Sequence, residues 1–197
     1  MVTLEAILES ANLNQAWKRV VANKGSAGVD GMEVGDLRAH LFEQGPELVQ
    51  SIKAGKYKPQ PVLRVLIPKE EKGKFRPLGI PTAIDRWVQQ AVQKLSEEYE
   101  KVFSESSHGF RPNRSCQTAV EQCLKLANEG YVWVVDLDLA KFFDTVNHSK
   151  LLQLLSERIK DGRVISLIHK FLRAPVLEDG KSTPNTIGTP QGGPISP

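Results

Sequence analysis

The stretch VVDLDLAKFFDTVNH, residues 134–148, limits the folds open to this chain more than any other part of the sequence. Hydrophobic residues lead directly into a series of aspartates and a pair of phenylalanines. Burying a carboxylate is costly unless it is paired, hydrogen-bonded or bound to a metal ion. The stretch therefore predicts a strand, from Tyr131 to Asp138, whose end presents carboxylates.

Side chains alternate along such a strand, so that each face carries its own set. One face carries Val132, Val134, Asp136 and Asp138, and the other carries Trp133, Val135 and Leu137. A carboxylate at a strand end, followed by backbone amides, can hold Mg²⁺ together with a phosphate. The alternative is a surface strand end with solvated or ion-paired acids and with phenylalanines in the core. This stretch alone leaves both open, since one carboxylate needs partners to hold Mg²⁺ and no Asp-Asp dipeptide occurs.

Local patterns predict a helix-rich chain with a basic β-hairpin. Apolar spacing and capping signals place the helices, and alternation between turn residues places the strands. The predicted helices cover residues 4–21 with a break at 12–14, 35–54, 82–102, 116–130, 147–159 and 164–173. The predicted hairpin covers about 61–81 with Gly73 at its tip, and a shorter hairpin follows residue 175.

Positive charge is concentrated at the hairpin. The segment from Lys53 to Arg76 has eight basic residues against Glu70 and Glu71, a net charge of +6, whereas the whole chain is only +3. Such a distribution is typical of a contact with a polyanion, although a solvated charged loop would look the same.

Other features exclude several classes of protein. No apolar run approaches the roughly 20 residues that span a bilayer, and the N-terminus lacks the basic start of a secretion signal, so we expect a cytoplasmic protein without a membrane partner. Cys116 and Cys123 lack the spacing of a metal site and share a helix face with apolar residues. We expect them to be buried thiols.

Four motifs then occur together: RPLGIPT (76–82), HGFRPNRS (108–115), DLDLAKFFDTVNH (136–148) and TPQGGPISP (189–197). In this order they resemble the reverse transcriptases encoded by bacterial group II introns, and AGVDG (27–31) resembles that family's N-terminal extension block. The resemblance implies an α+β right-hand polymerase fold. It implies fingers over 1–130, including the basic hairpin, and part of a palm with a small antiparallel sheet over 131–197.

The resemblance also implies roles for individual residues. Asp138 corresponds to the first metal-binding aspartate, with the backbone carbonyl of Leu139 as a further ligand, in a site that holds two Mg²⁺ when complete. Phe143 corresponds to the aromatic gate against a ribose 2′-hydroxyl. The implied dNTP contacts are Lys69, Arg76, Gln191 and the backbone amides of Lys141 and Phe142. The implied contacts with template RNA are Lys24, Lys72, Lys74, Arg111 and Arg114.

One departure from the family limits these expectations. The family's second palm motif, an aromatic–Ala–Asp–Asp turn, does not occur in this sequence. We therefore expect the chain to be a partial palm that stops before that turn, able to bind RNA but catalytically incomplete, while the parent protein polymerises DNA and assists intron splicing in the bacterial cytoplasm. Its partners would be intron RNA, an RNA template with a DNA primer, and dNTP. The alternatives are an RNA-binding splicing factor that has lost polymerisation, and a self-associating module that forms a homodimer.

Overall fold

The computed structural model describes residues 2–68, 70, 72–190 and 192–195. The chain divides into two compact units. The larger unit takes the chain up to Lys94 and again from Lys141 onward, and the smaller unit takes Leu95–Ala140. The two compact units do not test the predicted division into fingers (1–130) and palm (131–197), which stays a prediction. Lys69 and Gln191 lie outside the described residues.

Helices make up most of the regular secondary structure of the larger unit and confirm most of the predicted positions. They are α1 (Leu4–Ile7), α2 (Ser10–Asn23), a 3₁₀ turn (Val34–Asp36), α3 (Leu37–Lys53), α4 (Ala83–Val92), α7 (Phe142–Thr145), α8 (His148–Ser156) and α9 (Gly162–Leu172). The predicted break at residues 12–14 is wrong, since the chain breaks at Leu8–Glu9 instead. Asn12 lies inside α2, where its Nδ2 donates to the carbonyl oxygens of Ile7 (2.7 Å) and Ala91 (3.0 Å).

A mixed four-stranded sheet completes the larger unit. The strands β1 (Val62–Pro68), β2 (Phe75–Ile80), β3 (Val176–Glu178) and β4 (Lys181–Thr183) lie in the order β2-β1-β3-β4. Both predicted hairpins are present, and β1 pairs with β3 in parallel. The α+β class is confirmed, but the second hairpin joins the basic hairpin in one mixed sheet and does not form an antiparallel sheet of its own.

Helix α4 lies at the centre of the larger unit's core and carries a buried polar network. Thr82 caps the helix by accepting from the backbone N–H of Asp85. The Asp85 carboxylate, 2% exposed, accepts from the Tyr57 hydroxyl at 2.5 Å, the Thr82 hydroxyl at 2.7 Å and the Gln60 N–H at 3.1 Å. Burial raises the pKa of Asp85, and these three donors partly offset the shift. The network ties the chain before β1 to the start of α4.

The predicted helix 82–102 is interrupted. After α4 the chain forms a 3₁₀ turn (Gln93–Leu95) and then α5 (Ser96–Tyr99), which belongs to the smaller unit. An apolar stripe at helical spacing continues across such a change of helix type, so the sequence pattern did not reveal it.

The smaller unit contains α6 (Cys116–Asn128), whose Ser115 and Thr118 form a capping box. The expectation of buried thiols is wrong, because Cys116 and Cys123 are both exposed. Val120 and Leu124 of the same face are 57% and 58% exposed. Helical spacing shows which face of a helix is apolar, but it does not show that another element covers that face.

The strand predicted over 131–138 is also absent. Residues 131–139 have no regular secondary structure, and Trp133, Val134 and Leu137 are 88–94% exposed. A strand exists through hydrogen bonds to a neighbouring strand. Alternation in the sequence predicted a strand, but no described strand pairs with this segment.

None of the helices described here is long and apolar enough to cross a membrane.

Candidate functional site

The basic hairpin presents its cations to solvent. Ile67 of β1 pairs with Arg76 of β2, close to the tip of the hairpin. Arg76, Lys72 and Lys74 are all exposed, and the turn at residues 72–73 includes Gly73 with φ +81°. Their exposure is compatible with the predicted contact with a phosphate-bearing ligand, which stays a prediction. Lys69 lies outside the described residues, so its predicted role stays a prediction.

The phenylalanine pair lies on a short turn of helix. Lys141 has left-handed backbone angles (φ 52°, ψ 35°) and starts α7. The rings of Phe142 and Phe143 pack edge to face with centroids 5.7 Å apart, and Phe143 is the more buried of the two. The Thr145 hydroxyl donates to the carbonyl oxygens of Lys141 (3.2 Å) and Phe142 (3.1 Å). We call residues 141–146 the gate turn.

The segment 188–190 is held against this gate turn by backbone hydrogen bonds. The N–H of Gly188 donates to Val146 at 2.9 Å, and the N–H of Thr189 donates to Phe143 at 2.7 Å. Gly188 has φ +79°, and a Cβ there would come within 2.8 Å of the carbonyl oxygens of Phe143 and Asp144. Only glycine fits this position without displacement of the turn.

The same loop also touches the basic hairpin. A Cβ on Gly192 would come within 2.7 Å of the Gly79 carbonyl oxygen and of a Leu78 side-chain carbon. The loop 188–192 therefore contacts the gate turn near one end and β2 near the other, and we call it the bridging loop. Gln191 lies between these contacts in the sequence and outside the described residues. Three of the four sequence motifs, 76–82, 136–148 and 189–197, thus contribute residues to one place in the larger unit.

A cavity of about 320 Å³ lies beside the bridging loop. Its lining combines polar and apolar side chains from the sheet, the gate turn and the loop. The lining includes Arg64, Gly79, Asp144, Asn185, Thr189 and Val176. Arg64 pairs with Gly79 across the hairpin, whereas Arg76 alternates onto the other face of the sheet. The cavity and the predicted triphosphate contact are therefore on different faces.

His148 lies at the start of the predicted helix 147–159, and no role in a site was predicted for it. Its Nε2 lies 2.7 Å from the Gly188 carbonyl oxygen, and the side chain is buried. Asn147, and not His148, caps α8 by accepting from the N–H of Lys150. The sequence offers one signal for this contact: His148 is the last residue of the motif 136–148, and Gly188 directly precedes the motif 189–197.

The metal-binding prediction rests on Asp138, in the smaller unit. Its carboxylate is exposed, as is that of Asp136, and Leu139 is 70% exposed. A carboxylate and a backbone carbonyl are oxygen ligands of the kind that a hard divalent cation takes. In the described part of the chain, no group of three His, Cys, Asp or Glu residues is placed to hold a metal ion. These residues therefore fit part of a metal site and do not complete one.

Arg111, predicted to contact phosphate, has a different position. Its guanidinium donates to Glu100 (2.7 Å) and to the carbonyl oxygens of Ser104 (2.6 Å) and Ser107 (2.8 Å), and it lies over the Phe103 ring. The side chain is 5% exposed. Hydrogen bonding to Glu100 raises the pKa of Arg111. The geometry corrects the prediction: this residue organises its own loop.

The other predicted RNA contacts are more accessible. Arg114 is a quarter exposed and pairs with Glu105 at 2.7 Å, a bond that an approaching phosphate can replace, since Glu105 is 90% exposed. Lys24 is exposed at the start of the glycine-rich loop 25–31. Beneath that loop, the buried Arg86 donates to the carbonyl oxygens of Lys24 (3.3 Å) and Ser26 (3.0 Å). Arg86 thereby holds the loop that presents Lys24.

His108, in the smaller unit, is a structural residue. Its ring nitrogens lie 2.8 Å from the Thr118 hydroxyl and 2.6 Å from the Gln122 side-chain oxygen. These two contacts join the loop that carries His108 to α6.

Comparison with known proteins gives the family. The reverse transcriptase (RNA-dependent DNA polymerase) family matches residues 67–197, and the chain belongs to this family. Members of the family act on a nucleic-acid template with a primer and dNTPs, and they use divalent metal ions.

Relatives confirm the resemblance to group II intron proteins. The chain is 42% identical over 183 residues to the group II intron-encoded protein LtrA of Lactococcus lactis subsp. cremoris, covering 92% of this chain and 30% of LtrA. It is 38% identical over 201 residues to the protein YkfC of Escherichia coli, covering 98% of this chain and 52% of YkfC. The chain therefore spans about a third to a half of these relatives.

A solved structure confirms the fold. A chain of a partial Cas6-RT-Cas1–Cas2 complex matches 98% of this chain with a TM-score of 0.63 and 22% identity, and the match covers 32% of that chain. At this identity the likeness concerns the fold alone.

Proposed function

We propose that this chain forms the fingers and the first part of the palm of an RNA-directed DNA polymerase encoded by a group II intron. The observation that carries the proposal is the bridging loop, which joins the gate turn to the strand that bears Arg76. A polymerase needs these parts together, since the nucleotide's triphosphate, sugar and base are held at one time. A protein that only binds RNA has no need of this arrangement.

In the proposed reaction the chain binds and orients the dNTP. Arg76 binds the triphosphate through a guanidinium that can make two parallel hydrogen bonds, and Lys69 is assigned to the same group. Phe143 excludes a ribose 2′-hydroxyl by contact, Gln191 packs beside the sugar, and the amides of Lys141 and Phe142 face the phosphates. Two Mg²⁺ ions, when bound at the completed site, supply charge stabilisation for phosphoryl transfer, with Asp138 and the Leu139 carbonyl among their ligands.

The proposed nucleic-acid partners are an RNA template with a DNA primer and the intron RNA, whose splicing the protein would assist. Contacts would come from Lys24, Lys72, Lys74 and Arg114, all of which can release counterions on binding phosphate. We place the protein in the bacterial cytoplasm, as the resemblance to intron-encoded bacterial proteins suggests.

Primer extension on an RNA template by the full-length protein tests the proposal. Extension that requires Mg²⁺ and is abolished by Asp138→Asn would support it. A protein that binds and splices intron RNA but never extends a primer would instead support the alternative of a splicing factor without polymerase activity. Asp136→Asn is the matched control, since it removes a neighbouring exposed carboxylate that the proposal does not assign to the metal.

A further inference from the structure

The bridging loop is fixed by a side chain as well as by backbone hydrogen bonds. His148 is 7% exposed, and its Nε2 lies 2.7 Å from the Gly188 carbonyl oxygen. A carbonyl oxygen can only accept, so Nε2 carries the hydrogen and donates it. This bond holds one end of the loop to the first turn of α8.

The other ring nitrogen of His148, Nδ1, shows that no described residue holds the ring in place by a second hydrogen bond. Nδ1 of His148 is buried and has no hydrogen-bond partner within the described part of the chain. Leaving a buried polar atom unsatisfied is unfavourable. Among the described residues, the hydrogen bond that this buried ring makes is therefore the one to the Gly188 carbonyl oxygen.

A second donor converges on the same carbonyl. Nδ2 of Asn185 lies 3.3 Å from the Gly188 oxygen and 2.8 Å from the Leu172 oxygen at the end of α9. A carbonyl oxygen has two lone pairs, so these two donors occupy both acceptor positions of the Gly188 oxygen. They fix its direction, and with it the plane of the peptide bond that donates the Thr189 N–H to Phe143.

We propose that His148 is a positioning residue that holds the bridging loop against Phe143 and thereby sets the affinity for the incoming dNTP. The inference rests on the proposed polymerase function, because the loop affects dNTP binding only if the gate turn forms part of the nucleotide site. His148 itself does not touch the nucleotide. Its effect passes through the Gly188 carbonyl and the Thr189–Phe143 hydrogen bond.

The test compares two variants of the full-length protein. His148→Leu removes the donor and keeps an apolar side chain in the buried site. His148→Gln keeps an N–H donor at a similar distance from the backbone. Trp87→Phe is the control, since it also removes one buried donor, the indole N–H to the Leu13 carbonyl at 3.0 Å, at a place away from the bridging loop.

Two readouts are needed, and one of them does not depend on polymerase activity. The first is amide hydrogen exchange at Gly188 and Thr189, whose N–H groups are hydrogen-bonded to the gate turn. The second is steady-state primer extension, separated into kcat and the KM for dNTP. Losing an interaction that only positions the binding site raises KM with little change in kcat.

We expect His148→Leu to speed exchange at both amides and to raise the dNTP KM about tenfold with kcat within about twofold. His148→Gln should bring both readouts back towards wild type, and Trp87→Phe should leave both near wild type. Unchanged exchange in His148→Leu would overturn the inference. So would faster exchange with an unchanged KM. Absence of extension by the wild-type protein would instead overturn the proposed function, and it would be seen before any variant is compared.

Discussion

The carbonyl oxygen of Phe143 accepts a hydrogen bond from the backbone N–H of Thr189 at 2.7 Å. This one bond joins the predicted gate residue to the motif that contains Gln191, two segments that are far apart in the sequence. Because both groups belong to the backbone, the contact depends on chain geometry at Gly188 and not on side-chain identity at either end.

Replacing Gly188 by alanine tests that dependence. Gly188→Ala should destabilise the protein by roughly 1–3 kcal/mol, because it adds left-handed backbone strain to a close contact with the gate turn. Thermal unfolding and exchange at Thr189 would measure the effect. Gly31→Ala is the control, since Gly31 also has positive φ (+71°) but a Cβ there meets nothing within 4 Å. Equal effects of the two substitutions would show that the close approach at Gly188 is unimportant.

Local sequence signals predicted most of the elements correctly. The hairpins, α3, α6, α8 and α9 follow from apolar spacing and from caps such as Asn147 and Ser115, whose chemistry is confined to neighbouring residues. These signals work because each depends on a few adjacent positions.

The failures have one physical cause. A local sequence pattern shows which residues could pack or pair, but it does not show which other part of the chain they contact. Cys116 lies on an apolar helix face that stays exposed, and residues 131–138 alternate like a strand without a described neighbour to pair with. The motif predicts that Arg111 contacts phosphate, but in the structure its guanidinium is already paired with Glu100. Likewise, His148 and Gly188 are 40 residues apart, and the residues around each of them alone do not indicate the contact.

The gate prediction concerns the choice of sugar. Phe143→Ala should let the full-length polymerase incorporate ribonucleotides, raising the ratio of rNTP to dNTP incorporation by at least tenfold, because the side chain no longer meets the 2′-hydroxyl. Primer extension with each substrate separately measures the ratio. Phe142→Ala is the control, since its ring packs on Phe143 at 5.7 Å but is not assigned to the sugar. If Phe142→Ala relaxes selection equally, the gate is a property of the ring pair.

The basic hairpin and the Arg111 loop should respond differently to loss of charge. Lys72→Ala should lower the slope of RNA affinity against salt concentration by about one unit and leave thermal stability unchanged, because Lys72 is exposed and is proposed to contact one phosphate. Arg111→Gln should lower stability, because Glu100 and two carbonyl oxygens lose their donor, and should leave the salt slope near wild type. Filter-binding titrations over a salt series, with parallel unfolding curves, would separate the two. A salt slope that falls for Arg111→Gln would restore its predicted RNA contact.

Tyr57→Phe should destabilise the protein in a pH-dependent way. The hydroxyl of Tyr57 favours the ionised form of Asp85, so its removal raises further the pKa of a carboxyl group that burial already raises. A raised folded-state pKa means that stability is lost as pH rises through it. We expect a loss of about 1–3 kcal/mol near pH 8 and a smaller loss near pH 4, measured by denaturant unfolding. Tyr131→Phe, on an exposed tyrosine, should change little at either pH.

The ion pair between Asp161 and Arg163 predicts the opposite dependence on pH. Asp161 accepts from the Arg163 guanidinium at 2.8 Å and from the Leu4 N–H at 2.9 Å, and hydrogen bonding to Arg163 lowers the pKa of Asp161 to about 2. A lowered folded-state pKa means that the stabilisation is present above the unfolded value of 3.8 and is lost as pH falls towards about 2. At about 1.4 kcal/mol per pKa unit, Asp161→Asn should cost roughly 2 kcal/mol at pH 7 and little near pH 2. Glu178→Gln removes the more exposed pair with Arg64 and should cost under about 1 kcal/mol throughout. A cost for Asp161→Asn that does not shrink in acid would mean that its capping bonds, and not its charge, stabilise the junction of α1 and α9.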